Sequence, residues 1–226
     1  MVVIIDYGIG NLRSIEKAFE AVGADVLRSD RVDDIRKADR VVLPGVGAFG
    51  ACAAEIRRRG LEESVLEAIE SGKPFLGVCV GMQLLFEAGE EMGTHAGLGV
   101  LPGRVVRLDE VPSRNEPVSG YPVSATHAVE TVWDVELKIP HIGWNTIEPT
   151  RESPLLFGLP VEPHFYFVHS FAAVPTQASD VLASCHYGVP FAAIVGRNNV
   201  YGVQFHPEKS QRNGLQILKN FAERVH

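Results

Sequence analysis

The chain has 226 residues, 46% of them hydrophobic and 22% charged, with a formal net charge of −7. That balance suits a globular chain with one large core and argues against disorder, while the acidic excess argues against a nucleic-acid surface. No apolar run reaches the roughly 18 residues needed to span a membrane. In chain order, residues 2–6 read as a buried strand, and apolar residues at 12, 15, 19 and 22 predict a helix over 11–22. Short strands are expected at 26–27 and 40–43, the latter running into Pro44-Gly45. Helices follow at 48–59 and 61–70, divided at Gly60, with Arg57-Arg58-Arg59 as a solvated helix end, and then a strand at 74–78. Such strand–helix alternation implies a mostly parallel sheet with helices on both faces.

From Leu98 onward prolines recur at 102, 112, 117 and 122, and β-branched residues replace the helical pattern. Strands are expected at 166–168, 181–185, 191–195 and 200–205, with Asn198-Asn199 as a hairpin turn between the last two. Ser210 is placed to cap a final helix with apolar residues at 215, 218, 221 and 225. No linker or repeat interrupts the chain, so a single domain over 1–226 is expected, with the polar, proline-broken stretch 109–138 as a loop or hairpin insertion. The fold class is α/β: three layers, α/β/α, around a mostly parallel sheet with added antiparallel strands in the C-terminal half.

The chemistry concentrates at two places. In Phe75-Leu76-Gly77-Val78-Cys79-Val80-Gly81-Met82-Gln83 an apolar strand enters a Gly-x-Cys-x-Gly turn, and a helix is expected on its far side. Glycines on both sides permit a tight elbow that presents one nucleophilic side chain. A buried structural thiol gains nothing from those glycines. The helix start is expected to help the thiol ionise. Far downstream, Gln204-Phe205-His206-Pro207-Glu208 sets a histidine two residues before a carboxylate, the pattern of a base and the group that orients it. Pro44-Gly45-Val46-Gly47 offers backbone N–H groups at Val46 and Gly47 which, with that of Val80, suit an oxyanion hole. Asp6-Tyr7-Gly8-Ile9-Gly10-Asn11 lacks the third glycine of a dinucleotide fingerprint, having Arg13 there. His141, His164 and His169 share no ligand spacing, so neither a metal nor a cofactor is expected. Cys52 and Cys185 lack any activating setting and read as structural. The N-terminus has no basic leader or cleavage site, and three cysteines suit free thiols, so a cytoplasmic location is expected.

These motifs are similar to those of class I glutamine amidotransferases, a flavodoxin-like family. Asp6-Tyr-Gly-Ile-Gly-Asn11, Pro44-Gly-Val-Gly-Ala-Phe-Gly50, Pro140-His-Ile-Gly-Trp-Asn145, Tyr166-Phe-Val-His-Ser-Phe171 and Phe205-His-Pro-Glu-Lys-Ser210 narrow the resemblance to the glutaminase subunits of imidazole glycerol phosphate synthase. The resemblance implies a Cys79–His206–Glu208 triad acting on L-glutamine through a thioester. It implies that Gln83 and the His169-Ser170-Phe171 segment hold the amino acid. It also implies a heterodimer with a separate (β/α)8-barrel cyclase that receives ammonia, with Asn11, Trp144 and Lys209 at the mouth facing it. Residues 109–138 look longer than the usual family segment. Another class I glutaminase or a γ-glutamyl hydrolase on the same fold is the nearest alternative, and a non-catalytic flavodoxin-like binding module a remote one.

Overall fold

Val2–Ile5 is a run of four apolar residues, and the computed structural model, which describes residues 1–112 and 137–225, buries all four as strand β1. On either side of β1 lie β2 (Val26–Ser29) and β3 (Arg40–Gly45), both parallel to it. The sheet continues in parallel through β4 (Phe75–Cys79) and β14 (Val200–Val203). It then turns antiparallel through β13 (Val189–Arg197), β12 (Val181–Tyr187) and β9 (Glu148–Pro149). The full order is β2-β1-β3-β4-β14-β13-β12-β9.

The helices are α1 (Leu12–Ala21), α2 (Val32–Lys37), α3 (Phe49–Arg58), α4 (Glu62–Glu70), α5 (Val80–Gln83) and α6 (Gln211–Glu223). The connection β1-α1-β2 runs one way along the sheet, whereas α2, α3 and α4 carry the chain the other way. Right-handed crossovers therefore put α1 on one face and α2, α3 and α4 on the other. α1 packs with α6 through Phe19 and Phe221, edge to face at 6.3 Å, and α2 packs with α4. The expected layered α/β architecture is observed.

Two smaller sheets lie beside this frame. One joins β11 (Phe171–Pro175), β7 (Leu101–Arg107), β5 (Phe86–Gly89) and β6 (His95–Ala96). The other is an antiparallel pair of β8 (His141–Thr146) and β10 (His164–His169). Sequence periodicity did not resolve α2, which is too short to show a period, nor strands β5 to β8 and β11. The Asn198-Asn199 turn is present: Arg197 pairs with Val200, and Asn198 takes φ +53°. Asn199 Nδ2 also donates to the carbonyls of Ile69 (3.0 Å) and Lys73 (2.6 Å), which pins the hairpin to the end of α4. Ser210 departs from expectation. It precedes α6 but makes no capping bond. Its hydroxyl instead donates to the His206 carbonyl (2.6 Å) and accepts from the Tyr166 amide (2.9 Å), tying together the loop and strand that flank the candidate site. Of the expected 109–138 insertion, Leu108–Glu110 begins it with a 3-10 turn, and residues 113–136 lie outside the described residues.

Candidate active site

β4 and β14 are parallel neighbours with Val78 opposite Val203, so the residues leaving their C-terminal ends emerge together. Cys79 ends β4, and Gln204, Phe205 and His206 continue from β14. A separation of 125 residues between Cys79 and Gln204 is thereby reduced to a side-chain contact of 3.8 Å. In doubly wound sheets this strand edge is where reactive groups collect.

The elbow has the geometry expected from its glycines. Cys79 holds φ 54° and ψ −113°, a strained conformation for a residue with a side chain. A Cβ at Gly81 would sit 1.8 Å from the Leu43 carbonyl oxygen, and one at Gly77 would sit 2.5 Å from the Gly81 carbonyl oxygen. Only glycine lets the turn pass this close to β3. The helix after it, α5, has just four residues. A macrodipole needs several aligned peptide units, so the expected help from this helix to the thiol is slight. The charged partner beside the sulfur is His206.

His206 Nδ1 lies 3.0 Å from Glu208 Oε1, and the ring is near enough to Cys79 for the two to interact electrostatically. Since Nδ1 is committed to the carboxylate, Nε2 is the nitrogen left for sulfur. Burial draws His206 toward its neutral form, but the interactions with Cys79 and Glu208 outweigh it and raise its pKa to about 10. Glu208 is itself deeply enclosed, its side chain 1% exposed. Its Oε1 also accepts from Asn11 Nδ2 at 3.3 Å, while Oε2 is buried with no hydrogen-bond partner among the described residues. The carboxylate's charge is thus directed onto the imidazole and one amide. The resemblance implies that Asn11 lies at the mouth facing the cyclase. In the structure its side chain touches Glu208, a contact no local pattern signals because 197 residues separate the two.

The loop after β3 runs beside the elbow, with Gly45 in register with Cys79. The Tyr7 hydroxyl donates to the Pro44 carbonyl (2.8 Å), and the Cys52 thiol donates to the Val46 carbonyl (3.4 Å). A trans peptide points its N–H opposite its carbonyl, so the Gly47 N–H is turned away from Cys52. Burial raises the pKa of the Cys52 thiol, and also that of Cys185, in keeping with structural roles for both.

Gln83 and His169 are more enclosed than a substrate clamp would require. Gln83 Nε2 donates to the Phe171 carbonyl (3.1 Å) and to Gln204 Oε1 (3.0 Å), so both of its N–H bonds are used and only its own oxygen remains. His169 Nδ1 bonds the Phe171 carbonyl (2.9 Å), and its Nε2 bonds His141 Nδ1 (3.1 Å). Neither ring nitrogen of His169 is free. Desolvation lowers His169 to about 3 and His141 to about 4, so both are neutral near pH 7. Ser170 and Phe171 are partly exposed next to them. Trp144 and Lys209 both meet Tyr166, Trp144 edge to face at 6.0 Å and the Lys209 ammonium 5.8 Å from the ring centre. Among the described residues, no group of three or more His, Cys, Asp or Glu gathers as a metal site, and no helix is long and apolar enough to cross a membrane.

Comparison with known proteins accords with this geometry. The family model for glutamine amidotransferase class-I matches residues 3–225. A protein of Salinibacter ruber named imidazole glycerol phosphate synthase subunit HisH is 57% identical over 222 residues, covering 98% of this chain and 94% of that one. A protein of the same name from Syntrophotalea carbinolica is 47% identical over 223 residues, covering 99% and 100%. Among solved structures, a crystal structure of a glutamine amidotransferase superposes with a TM-score of 0.67 at 19% identity, covering 98% and 99%. The structure of PurLQS from Thermotoga maritima superposes at 0.68 with 17% identity, covering 97% and 96%. At such low identity these two superpositions speak for the fold alone. With a family match over almost its whole length and close relatives of matching extent, this chain belongs to the class I glutamine amidotransferases.

Proposed function

We infer that the chain is the glutaminase subunit of an imidazole glycerol phosphate synthase in histidine biosynthesis, and that Cys79, His206 and Glu208 carry the reaction. The supporting observation is one imidazole held between the sulfur and a buried carboxylate at the ends of β4 and β14. The names and full-length matches of the relatives support the pathway.

The Cys79 sulfur attacks the side-chain amide carbon of L-glutamine. The negative charge that develops on the carbonyl oxygen is received by the N–H groups of Val80 and of the Val46-Gly47 segment. His206, protonated and oriented by Glu208, gives its proton to the departing ammonia. Acylation neutralises the sulfur and withdraws the support it lent to the imidazolium. The ring, now neutral, is a base for the water that hydrolyses the thioester to glutamate. The free oxygen of Gln83 and the exposed parts of Ser170 and Phe171 orient the amino acid, with His169 bracing them from behind. No resident cofactor takes part.

Ammonia then passes to a cyclase subunit, which forms imidazole glycerol phosphate and aminoimidazole carboxamide ribonucleotide. In this reading the partner is a (β/α)8 barrel, and the pair is cytoplasmic. The face it covers is the one bearing Trp144 and Lys209, where Ile142 is 59% and Trp144 47% exposed on β8. Apolar side chains that open to solvent next to a reactive centre suit a docking face. Glutamine hydrolysis is to be measured with and without the cyclase, for wild type and Cys79→Ala. The cyclase should raise turnover of wild type, and Cys79→Ala should be inactive in both states. Glutamate release surviving in Cys79→Ala would remove the covalent mechanism. An assembled Cys79→Ala synthase should still run on added ammonium salts at high pH, because the cyclase needs only NH3.

A further inference from the structure

Gln204 has no role in the mechanism above, yet it is the only fully buried amide side chain in direct contact with the nucleophile among the described residues. It is 0% exposed, and its Nε2 lies 3.8 Å from the Cys79 sulfur. The network around it decides which end of the amide faces the sulfur. The Phe171 carbonyl can only accept, so the Gln83 atom beside it is nitrogen. The second N–H of Gln83 then requires an acceptor, which is Gln204 Oε1 at 3.0 Å. The remaining end of Gln204 is therefore its NH2, and it faces sulfur. A flipped amide would set donor against donor at Gln83 and acceptor against sulfur at Cys79.

The Phe171 carbonyl is held from its other side in the same directed way. Asn145 Nδ2 can only donate, so the His141 Nε2 that lies 3.4 Å away accepts. His141 Nδ1 then carries the proton and donates to His169 Nε2 at 3.1 Å. His169 Nδ1 donates in turn to the Phe171 carbonyl at 2.9 Å. His141 cannot swing out of line, because it stacks between Phe167 (4.9 Å) and Tyr187 (4.0 Å). The carbonyl that anchors Gln83 is thus itself anchored, and each member of the chain has one allowed orientation.

We propose that Gln204 is a positioning residue for the nucleophile: its side-chain amide donates to the Cys79 sulfur, holding it in line with His206 and stabilising the thiolate. Its aim is set by Gln83 and the Phe171 carbonyl, with the Asn145–His141–His169 chain as the brace. Gln83, Gln204 and the sulfur run head to tail, so those two bonds polarise one another, whereas at the Phe171 carbonyl two donors converge and the histidine side acts only by fixing that oxygen in place. The proposal rests on Cys79 being the nucleophile.

The test is the pH dependence of Cys79 alkylation by iodoacetamide, with the labelled residue identified by mass spectrometry, in wild type, Gln204→Met and Gln204→Leu. Methionine keeps the length and removes the polar atoms. Leucine removes the same polar atoms in a shorter, branched side chain and, like methionine, brings no charge to the sulfur. Loss of one hydrogen bond to a charged sulfur should move the alkylation midpoint upward by about one pH unit in both variants. Glutamine turnover should fall about 10-fold or more in kcat, with KM changed by less than about 3-fold. A purely structural Gln204 would lower the melting temperature and leave the alkylation midpoint in place. If Gln204→Met does not fold, Gln204→Leu decides by itself. A folded variant whose midpoint coincides with wild type overturns the proposal. Wild-type label arriving at another residue without loss of activity would instead overturn the assignment of Cys79, so the two failures are distinguishable.

Discussion

At the scale of single residues, the site works by restricting what each polar atom can do. Glu208 has one oxygen shared between His206 and Asn11 and another with no hydrogen-bond partner among the described residues. Its charge therefore acts mainly on the imidazole. Glu208→Gln keeps the shape and removes that charge, so His206 should bind its proton less tightly and take up the wrong tautomer more often. The expected result is a fall in kcat of about 10²-fold with little change in KM, measured as glutamate release in the presence of the cyclase. Asn11→Ala should act in the same direction and more weakly, since it removes only the longer bond of 3.3 Å. A kcat within error of wild type for Glu208→Gln would mean that the carboxylate does not support the imidazole.

At the scale of elements, the elbow shows how a turn can be dictated by a neighbouring strand. The 1.8 Å approach at Gly81 is to the backbone of β3, which cannot yield as a flexible side chain can. Gly81→Ala should therefore destabilise the protein by about 3 kcal/mol or more, read from urea denaturation. The β13–β14 hairpin is held differently. Its turn residue Asn199 satisfies two backbone carbonyls at the end of α4, and those carbonyls lose their partner in Asn199→Ala. A loss of about 1–3 kcal/mol is expected, with glutaminase activity at low temperature unchanged, because the turn lies at the opposite end of β14 from His206. Unequal activity between the variant and wild type at full folding would show that β14 transmits strain to the site.

At the scale of the whole molecule, the two buried neutral histidines couple folding to pH. His169 and His141 are depressed to about 3 and 4 by desolvation, from an ordinary value of 6.5. An unfolded chain takes up protons on both as pH falls below about 6.5, and the folded chain does not until about pH 4 or lower. In that window the unfolded state binds more protons, so stability rises with pH and is lost on acidification. Each histidine should contribute a slope of about 1.4 kcal/mol per pH unit, measurable by denaturation at pH 4.5, 5.5 and 6.5. Replacing His141 by phenylalanine, which retains the stack on Phe167 and Tyr187, should flatten the slope by about one proton. An unchanged slope would place the acid sensitivity elsewhere.

What the sequence determined by itself were the features written in local spacing. Glycines at 77 and 81 signal the elbow, and His206 with Glu208 two residues on signals the base and its support, because each needs only a few neighbouring residues to be recognisable. Period and apolar runs likewise gave away β1, β4, α1, α3, α4 and the Asn198-Asn199 turn. Tertiary structure decided everything that depends on which strand ends lie side by side. Adjacency of β4 and β14 brings Gln204 onto the Cys79 sulfur and His206 to the same end of the sheet. The β1–α1 loop delivers Asn11 to Glu208, and β11 delivers the Phe171 carbonyl to both Gln83 and His169. It also reassigned Ser210 from helix cap to tie, and showed that the helix after Cys79 is too short to act strongly on the thiol. The physical reason is the same throughout: a hydrogen bond is made between atoms in space, and residues far apart along a chain carry no spacing that announces it.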